Sequence, residues 1–263
     1  MSTRRIKSTV SHRTVVLFIA GLYGLVISMA GAAQTSAGQT VTLTLPGGVK
    51  LETVQIPAGS FQMGSPEAER GRYSDEGPVH TVNINYDFYI GKYEVTQAQY
   101  KAIMGSNPVY RCGIGDNYPV SHISWDHCQA FIGKLNQLDM GTFRLPSEAE
   151  WEYACRAGTQ QRFYFGNSFG AGDTCQDCKA GTLPGKRSDY MWYCGNNAAP
   201  GEPDFGAKPV GQKLPNAFGM YDMHGNIWEW CQDEYHPNYK GAPTDGSAWQ
   251  GRGRAARTLR GGA

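Results

Sequence analysis

The sequence predicts a loop-rich α+β domain with little regular secondary structure, and three observations carry that prediction. Glycine and proline are abundant, at 34 and 14 residues in a chain of 263, so turns are frequent. Three apolar stripes at helical spacing each follow a capping residue. Alternating apolar stretches upstream of them read as half-buried strands. Hydrophobic residues make up 40% and charged residues 18%, which allows a packed core and argues against wholesale disorder. The length suits one large domain, and the 15 Tyr and 6 Trp supply aromatic anchors beneath loops.

At the N-terminus, Arg4, Arg5, Lys7 and Arg13 precede an apolar run over 15–30, followed by Ala30-Gly31-Ala32. Basic, apolar and small residues in that order make 1–33 a secretory signal peptide or, if retained, an N-terminal anchor. The domain is therefore expected to be secreted or periplasmic. Residues 34–50, rich in Ser, Thr and Gly, read as a linker or a short lead-in strand, and the globular pattern occupies 51–263.

Val54-Gln55-Ile56 and Phe61-Gln62-Met63 flank Pro57-Ala58-Gly59, which predicts a hairpin. Over 79–90, Val82, Ile84, Tyr86, Phe88 and Ile90 alternate as one strand. Thr96 with Gln99 forms a capping box before a helix that Gly105 ends. Ser124 opens a second helix with Cys128, Phe131, Ile132, Leu135 and Leu138 on one face. Ser147 with Glu150 caps a third, which turns Trp151, Ala154 and Cys155 inward and stops at Gly158. Beyond Gly158 the periodic signals fade, and so long an irregular stretch calls for disulfides, an ion or both.

A net charge of +1 supplies no field to draw nucleic acid or an anionic membrane. Arg252, Arg254, Arg257 and Arg260 read as a solvated tail. In an oxidising compartment the seven cysteines (Cys112, Cys128, Cys155, Cys175, Cys178, Cys194 and Cys231) are disulfide candidates first, and the odd count leaves one without a partner. Cys175 and Cys178 form the one C-x-x-C. It is open to a structural, redox or half-zinc reading, and the second pair that zinc needs is missing. Asp222 and Glu229 offer hard carboxylate oxygens, Gly225 permits a tight turn between them, and the carbonyls of Gly225 and Ile227 could point inward as a calcium cage. The same residues also read as a solvated turn in which Trp228 and Trp230 merely pack. His224 reads as a surface or packing residue rather than a ligand.

Several segments then occur in a telling order. They are Ile56-Pro57-Ala58-Gly59-Ser60-Phe61-Gln62-Met63-Gly64, Glu76-Gly77-Pro78-Val79-His80, Tyr93-Glu94-Val95-Thr96, and Arg144-Leu145-Pro146-Ser147-Glu148-Ala149-Glu150-Trp151. Asn216-Ala217-Phe218-Gly219-Met220-Tyr221-Asp222-Met223-His224-Gly225-Asn226-Ile227-Trp228-Glu229-Trp230 and Leu259-Arg260-Gly261-Gly262 complete the series. Together they resemble the formylglycine-generating enzyme, or sulfatase-modifying factor, family over the whole globular part. The resemblance implies a C-type-lectin-like fold with structural calcium on Asp222, Gly225, Ile227 and Glu229, and a second ion near Asn197 and Asp204, where the loop differs in length.

Family enzymes oxidise a sulfatase cysteine to Cα-formylglycine with dioxygen, using a cysteine pair that binds Cu+. That pair follows the Arg-Gly-Gly segment, which here is Arg260-Gly261-Gly262 with Ala263 after it. No catalytic cysteine is assigned, and the domain is expected to be C-terminally truncated relative to the family. Cys155 matches a family cysteine bridged to that later segment and so should be unpaired, and Ile132 stands where another bridging cysteine falls. With the segment missing, edges near the Val54 and Val82 strands should be exposed. Two functions follow as expectations: formylglycine generation on a sulfatase client, or a noncatalytic, calcium-braced, lectin-like binding module, some relatives of which are retroelement-diversified.

Overall fold

The computed structural model describes residues 14–16, 38–167, 179–251, 253 and 256–262. The strands in chain order are β1 (Thr14–Val16), β2 (Thr40–Thr44), β3 (Lys50–Ile56), β4 (Gly59–Met63), β5 (His80–Ile84) and β6 (Phe88–Gly91). Helices α1 (Gln97–Met104) and α2 (Trp125–Asn136) precede β7 (Thr142–Arg144) and α3 (Glu148–Arg156). After a long irregular segment, β8 (Glu229–Glu234) and β9 (Arg257–Arg260) close the fold. The main sheet runs β2-β3-β6-β1-β7, and β4-β5 and β8-β9 form separate two-stranded ribbons. The segment expected to be a linker or a lead-in strand thus supplies β2, antiparallel to β3. A signal peptide over 1–33 falls outside the described residues except at β1, which lies parallel to both β6 and β7.

The capping boxes form as the sequence predicts. Thr96 Oγ1 accepts the Gln99 N–H while Gln99 Oε1 accepts the Thr96 N–H, and Gly105 takes the left-handed conformation at φ 85°. Ser124 opens α2, with His127 completing its box. Ser147 and Glu150 pair in the same way on α3. Helix α3 ends one residue earlier than expected, on a left-handed Ala157 rather than on Gly158.

Several local expectations are corrected. The two runs around Pro57 do not form a hairpin: β3 pairs with β2 and β6, whereas β4 pairs with β5. Asp87 accounts for the divergence, since its carboxylate accepts both the Ala58 N–H and the Gln55 amide and bends the chain out of the sheet. The alternation over 79–90 spans two strands of different sheets, interrupted at 85–87. It persists because Val82, Ile84, Phe88 and Ile90 all enter one core. Leu138 lies past the end of α2 and is exposed, because the Asn136 amide bonds both backbone groups of Phe143 and draws the chain into β7. Val54 and Val82 are fully buried. The strand β3 is paired on both sides, and the Asn83 N–H beside Val82 reaches Thr244 O.

From 158 to 228 the described residues contain a 3-10 turn, Arg187–Asp189, and two isolated antiparallel bridges, Phe163 with Gly166 and Lys179 with Lys186, but no strand or α-helix. Side chains hold this segment. Tyr164 Oη donates to Leu214 O at 2.6 Å, Asn216 Nδ2 donates to Ala154 O at 2.7 Å, and Phe165 stacks on Tyr190. Cys194 is disulfide-bonded, and the C-x-x-C cysteines Cys175 and Cys178 lie outside the described residues. Phe88, Phe131 and Phe165 are among the largest fully buried side chains, so the irregular half shares the core of the regular half.

Candidate functional site

The capped start of α3 sets Glu148, Glu152 and Cys155 along one face at successive turns, and β9 crosses that face. Between them opens a cleft of about 570 Å³, with Tyr73, Trp228 and Tyr235 exposed around it. Arg260 forms its floor: Nη2 lies 2.7 Å from Glu148 Oε1 and 2.9 Å from Glu152 Oε2, and donates to Tyr239 Oη at 2.7 Å. Glu152 also accepts the Gly64 N–H and the Arg156 Nε–H. Burial alone would raise the Glu152 pKa, but Arg260 and Arg156 overcome it and hold the carboxyl below its ordinary value. The tail arginine Arg260, expected to be solvated, is therefore a structural cation. The spacing of Glu148 and Glu152 on a capped helix was the available signal for its partners.

Cys155 is the one thiol among the described residues lining this cleft. It is buried and forms no disulfide, as expected of an unpaired cysteine. Its Sγ lies 3.6 Å from His224 Nε2. Burial pushes the thiol pKa up, and burial together with Arg156 and Arg162 pushes the His224 pKa down to about 3. A neutral imidazole beside a protonated thiol is not an activated nucleophile. His224 Nε2 accepts the Tyr164 N–H, and its ring packs among Phe163, Tyr164 and Phe165, so it is a packing residue. Cys128 and Cys231 are also buried, and burial pushes both thiols up.

Behind the cleft, the turn 222–229 carries the expected cage residues. Asp222, Gly225 and Asn226 all have positive φ, which coils the backbone tightly. Asp222 Oδ2 accepts the Gly211 N–H at 2.7 Å, and Glu229 Oε2 accepts the indole N–H of Trp151 at 3.1 Å. Asp222 Oδ1 is buried without a hydrogen bond. A third carboxylate, Glu94 at the start of the helical region, joins them, buried beside Asp222 and Asn226. Burial, then Asp222 and Glu229, push Glu94 well above its ordinary range. Burial also raises Asp222 to about 6 and Glu229 well upward. Glu94 was read from the sequence only as part of a motif; nothing local marks it as facing Asp222. Among the described residues no three His, Cys, Asp or Glu side chains converge to ligate one ion by themselves. An ion here would draw on backbone carbonyls, and the Gly225 carbonyl also accepts the Ile227 N–H at 2.9 Å.

Asn197 and Asp204 are brought together elsewhere, around Lys208. Lys208 Nζ donates to Asn197 Oδ1 at 2.7 Å, to Gly206 O at 2.9 Å, and to the backbone carbonyl of Asp204. Asp204 is itself exposed.

The family model described as the sulfatase-modifying factor enzyme 1-like domain matches residues 44–263. The formylglycine-generating enzyme of Streptomyces coelicolor is 29% identical over 268 residues, covering 80% of this chain and 77% of that protein. Chaperone protein LppX of Paenibacillus barcinonensis is 31% identical over 260 residues, covering 85% of this chain and 81% of that protein. The structure of PvdO from Pseudomonas aeruginosa matches with a TM-score of 0.70 at 31% identity, over 87% of each chain.

Proposed function

The chain belongs to the sulfatase-modifying factor enzyme 1-like family, and from that premise we propose that it recognises an extended segment of a protein client in the cleft between α3 and β9, as a binding module rather than through its own described thiols. The observation that carries this reading is the cleft itself: open, rimmed by Tyr73, Trp228 and Tyr235, and lined by a single described thiol, Cys155, that burial keeps protonated. Exposed aromatics beside a polar floor suit a peptide with alternating apolar and polar side chains. Relatives of nearly equal identity are named an enzyme and a chaperone, so identity does not decide catalysis. Burial pushes the thiols of Cys128, Cys155 and Cys231 up, which disfavours the thiolate form that copper(I) takes as ligand.

The test uses the full chain and a synthetic peptide carrying Cys-x-Pro-x-Arg, the sulfatase-type segment. Saturable binding that Trp228→Ala weakens at least fivefold, with the peptide mass unchanged, supports the reading. Conversion of the peptide cysteine to an aldehyde would establish the oxidase reading instead, and no binding at all would remove the cleft as the client site.

The same reading includes calcium at the 222–229 turn as a structural brace. Asp222, Glu229 and the carbonyls of Gly225 and Ile227 are the residues that would hold it, and the gathering of three buried carboxylates, Glu94, Asp222 and Glu229, supports a cation there. A divalent ion would neutralise Asp222 and Glu229, whose charges otherwise help to push Glu94 up. An exported location rests on the N-terminal pattern of basic, apolar and small residues. Among the described residues no helix is long and apolar enough to cross a membrane.

A further inference from the structure

We infer that Lys208 supplies its own ammonium as the resident cation of the 197–206 loop, so that this loop takes no second divalent ion. The geometry is that of a filled site. An ammonium has three N–H donors, and three oxygens of the loop receive them: Asn197 Oδ1, Gly206 O and the Asp204 carbonyl. Its position is set from below, because the backbone of Lys208 is clasped on both sides by one amide. The Lys208 N–H donates to Asn226 Oδ1 at 2.8 Å, and Asn226 Nδ2 donates to Lys208 O at 3.3 Å. The ring of Trp192 lies 5.8 Å from the ammonium on the remaining side.

Asn197 is itself committed, since its Oδ1 also accepts the Gly206 N–H while its Nδ2 donates to Gly206 O. A hard divalent ion needs six or more oxygens. Here the inward oxygens already face a positive charge, and Asp204, which would have to contribute its carboxylate, is exposed and contributes only its carbonyl. One flexible, strongly hydrated point charge replaces the ion. The loop is therefore braced by the chain alone, and a chelator should leave it ordered.

The experiment counts ions. Wild type and Lys208→Ala are each dialysed against calcium, freed of excess, and assayed for calcium per chain by elemental analysis. Wild type is expected to hold at most one calcium per chain, the one proposed at 222–229, and Lys208→Ala no more than wild type, because the three neutral oxygens left around residue 208 are too few for a hard divalent ion. Two calcium ions per wild-type chain overturn the inference. If Lys208→Ala does not fold, hydrogen exchange on wild type decides: protection of the Gly206 amide unchanged by chelator supports the lysine-filled site, and deprotection confined to 197–208 overturns it.

Discussion

Arg260 Nη2 lies 2.9 Å from Glu152 Oε2, a charge pair between residues 108 apart that fastens β9 to α3. Removing one member of a buried pair leaves the other uncompensated and costs about 3–5 kcal/mol. Arg260 retains 21% side-chain exposure, which places the expected loss for Arg260→Ala near the lower end, at about 3 kcal/mol. Urea unfolding measures it. A loss under about 1 kcal/mol would mean that solvent screens the pair like a surface one.

The same pair fixes the acid side of the stability profile. Burial opposes ionisation of Glu152, but Arg260 and Arg156 prevail and lower its pKa. A carboxyl lowered in the folded state contributes stability that is present above its unfolded pKa and lost as pH falls through the folded one. Stability should therefore decline as pH drops below about 4.5, the ordinary Glu value. The decline should be shallower in Arg260→Ala, because the mutant carboxyl binds its proton at a pH closer to that of the unfolded chain. Parallel acid limbs for the two proteins would contradict this.

The cluster of Glu94, Asp222 and Glu229 has the opposite sign. Burial raises all three, Asp222 to about 6. Carboxyls raised in the folded state favour it at low pH, and that contribution is lost as pH rises through the folded values. Chelated protein should thus lose thermal stability between pH 5 and pH 8. Calcium should restore more of it at pH 8, where the ligands are ionised, than at pH 5. Asp222→Asn should blunt both responses. Melting curves at pH 8 that ignore both chelator and calcium would end the case for an ion at this turn.

What the sequence made legible was local. The starts of α1 and α3 were written in two residues three apart, such as Ser147 with Glu150, and that of α2 in Ser124 alone, and the structure forms those hydrogen bonds. Strand partners were not legible, because β3 and β4 are separated only by Pro57 and Ala58 yet pair with strands brought from β2, β5 and β6. The cage turn was visible as Asp222, Gly225 and Glu229, but the carboxylate facing it, Glu94, comes from another segment. Arg260 looked like one of several tail arginines, and only its burial against Glu148 and Glu152 distinguishes it.

The position of β1 yields a prediction about the N-terminal segment. Cleavage after Ala30-Gly31-Ala32 removes Thr14–Val16 and leaves β6 and β7 each with an unpaired edge in the middle of the main sheet. Open edges invite pairing with other chains. Chain starting at residue 34 should therefore melt lower and self-associate with rising concentration, as read by light scattering. A deletion that stays monomeric with an unchanged melting point would show that β1 contributes nothing to the sheet.

Gly225 offers the sharpest test of the cage turn, because two separate constraints meet there. Its φ is +95°, in the left-handed region, and a Cβ would stand 1.8 Å from the carbonyl oxygen of Trp192. Gly219 isolates the first constraint: φ is +82° and nothing lies within 4 Å of its Cβ position. Gly219→Ala should cost about 1–2 kcal/mol, the price of a left-handed L-residue. Gly225→Ala carries that strain and must also push apart two backbones, and backbone cannot swing aside as a long side chain can. Moving Trp192 further disturbs Lys213, whose ammonium lies 3.7 Å from its ring. Gly225→Ala is expected to accumulate as insoluble protein or to unfold at much lower urea than Gly219→Ala, and any soluble fraction should no longer be stabilised by calcium. Equal urea midpoints for the two variants would mean that the turn yields freely, and a turn that yields freely could not hold oxygens in place for an ion.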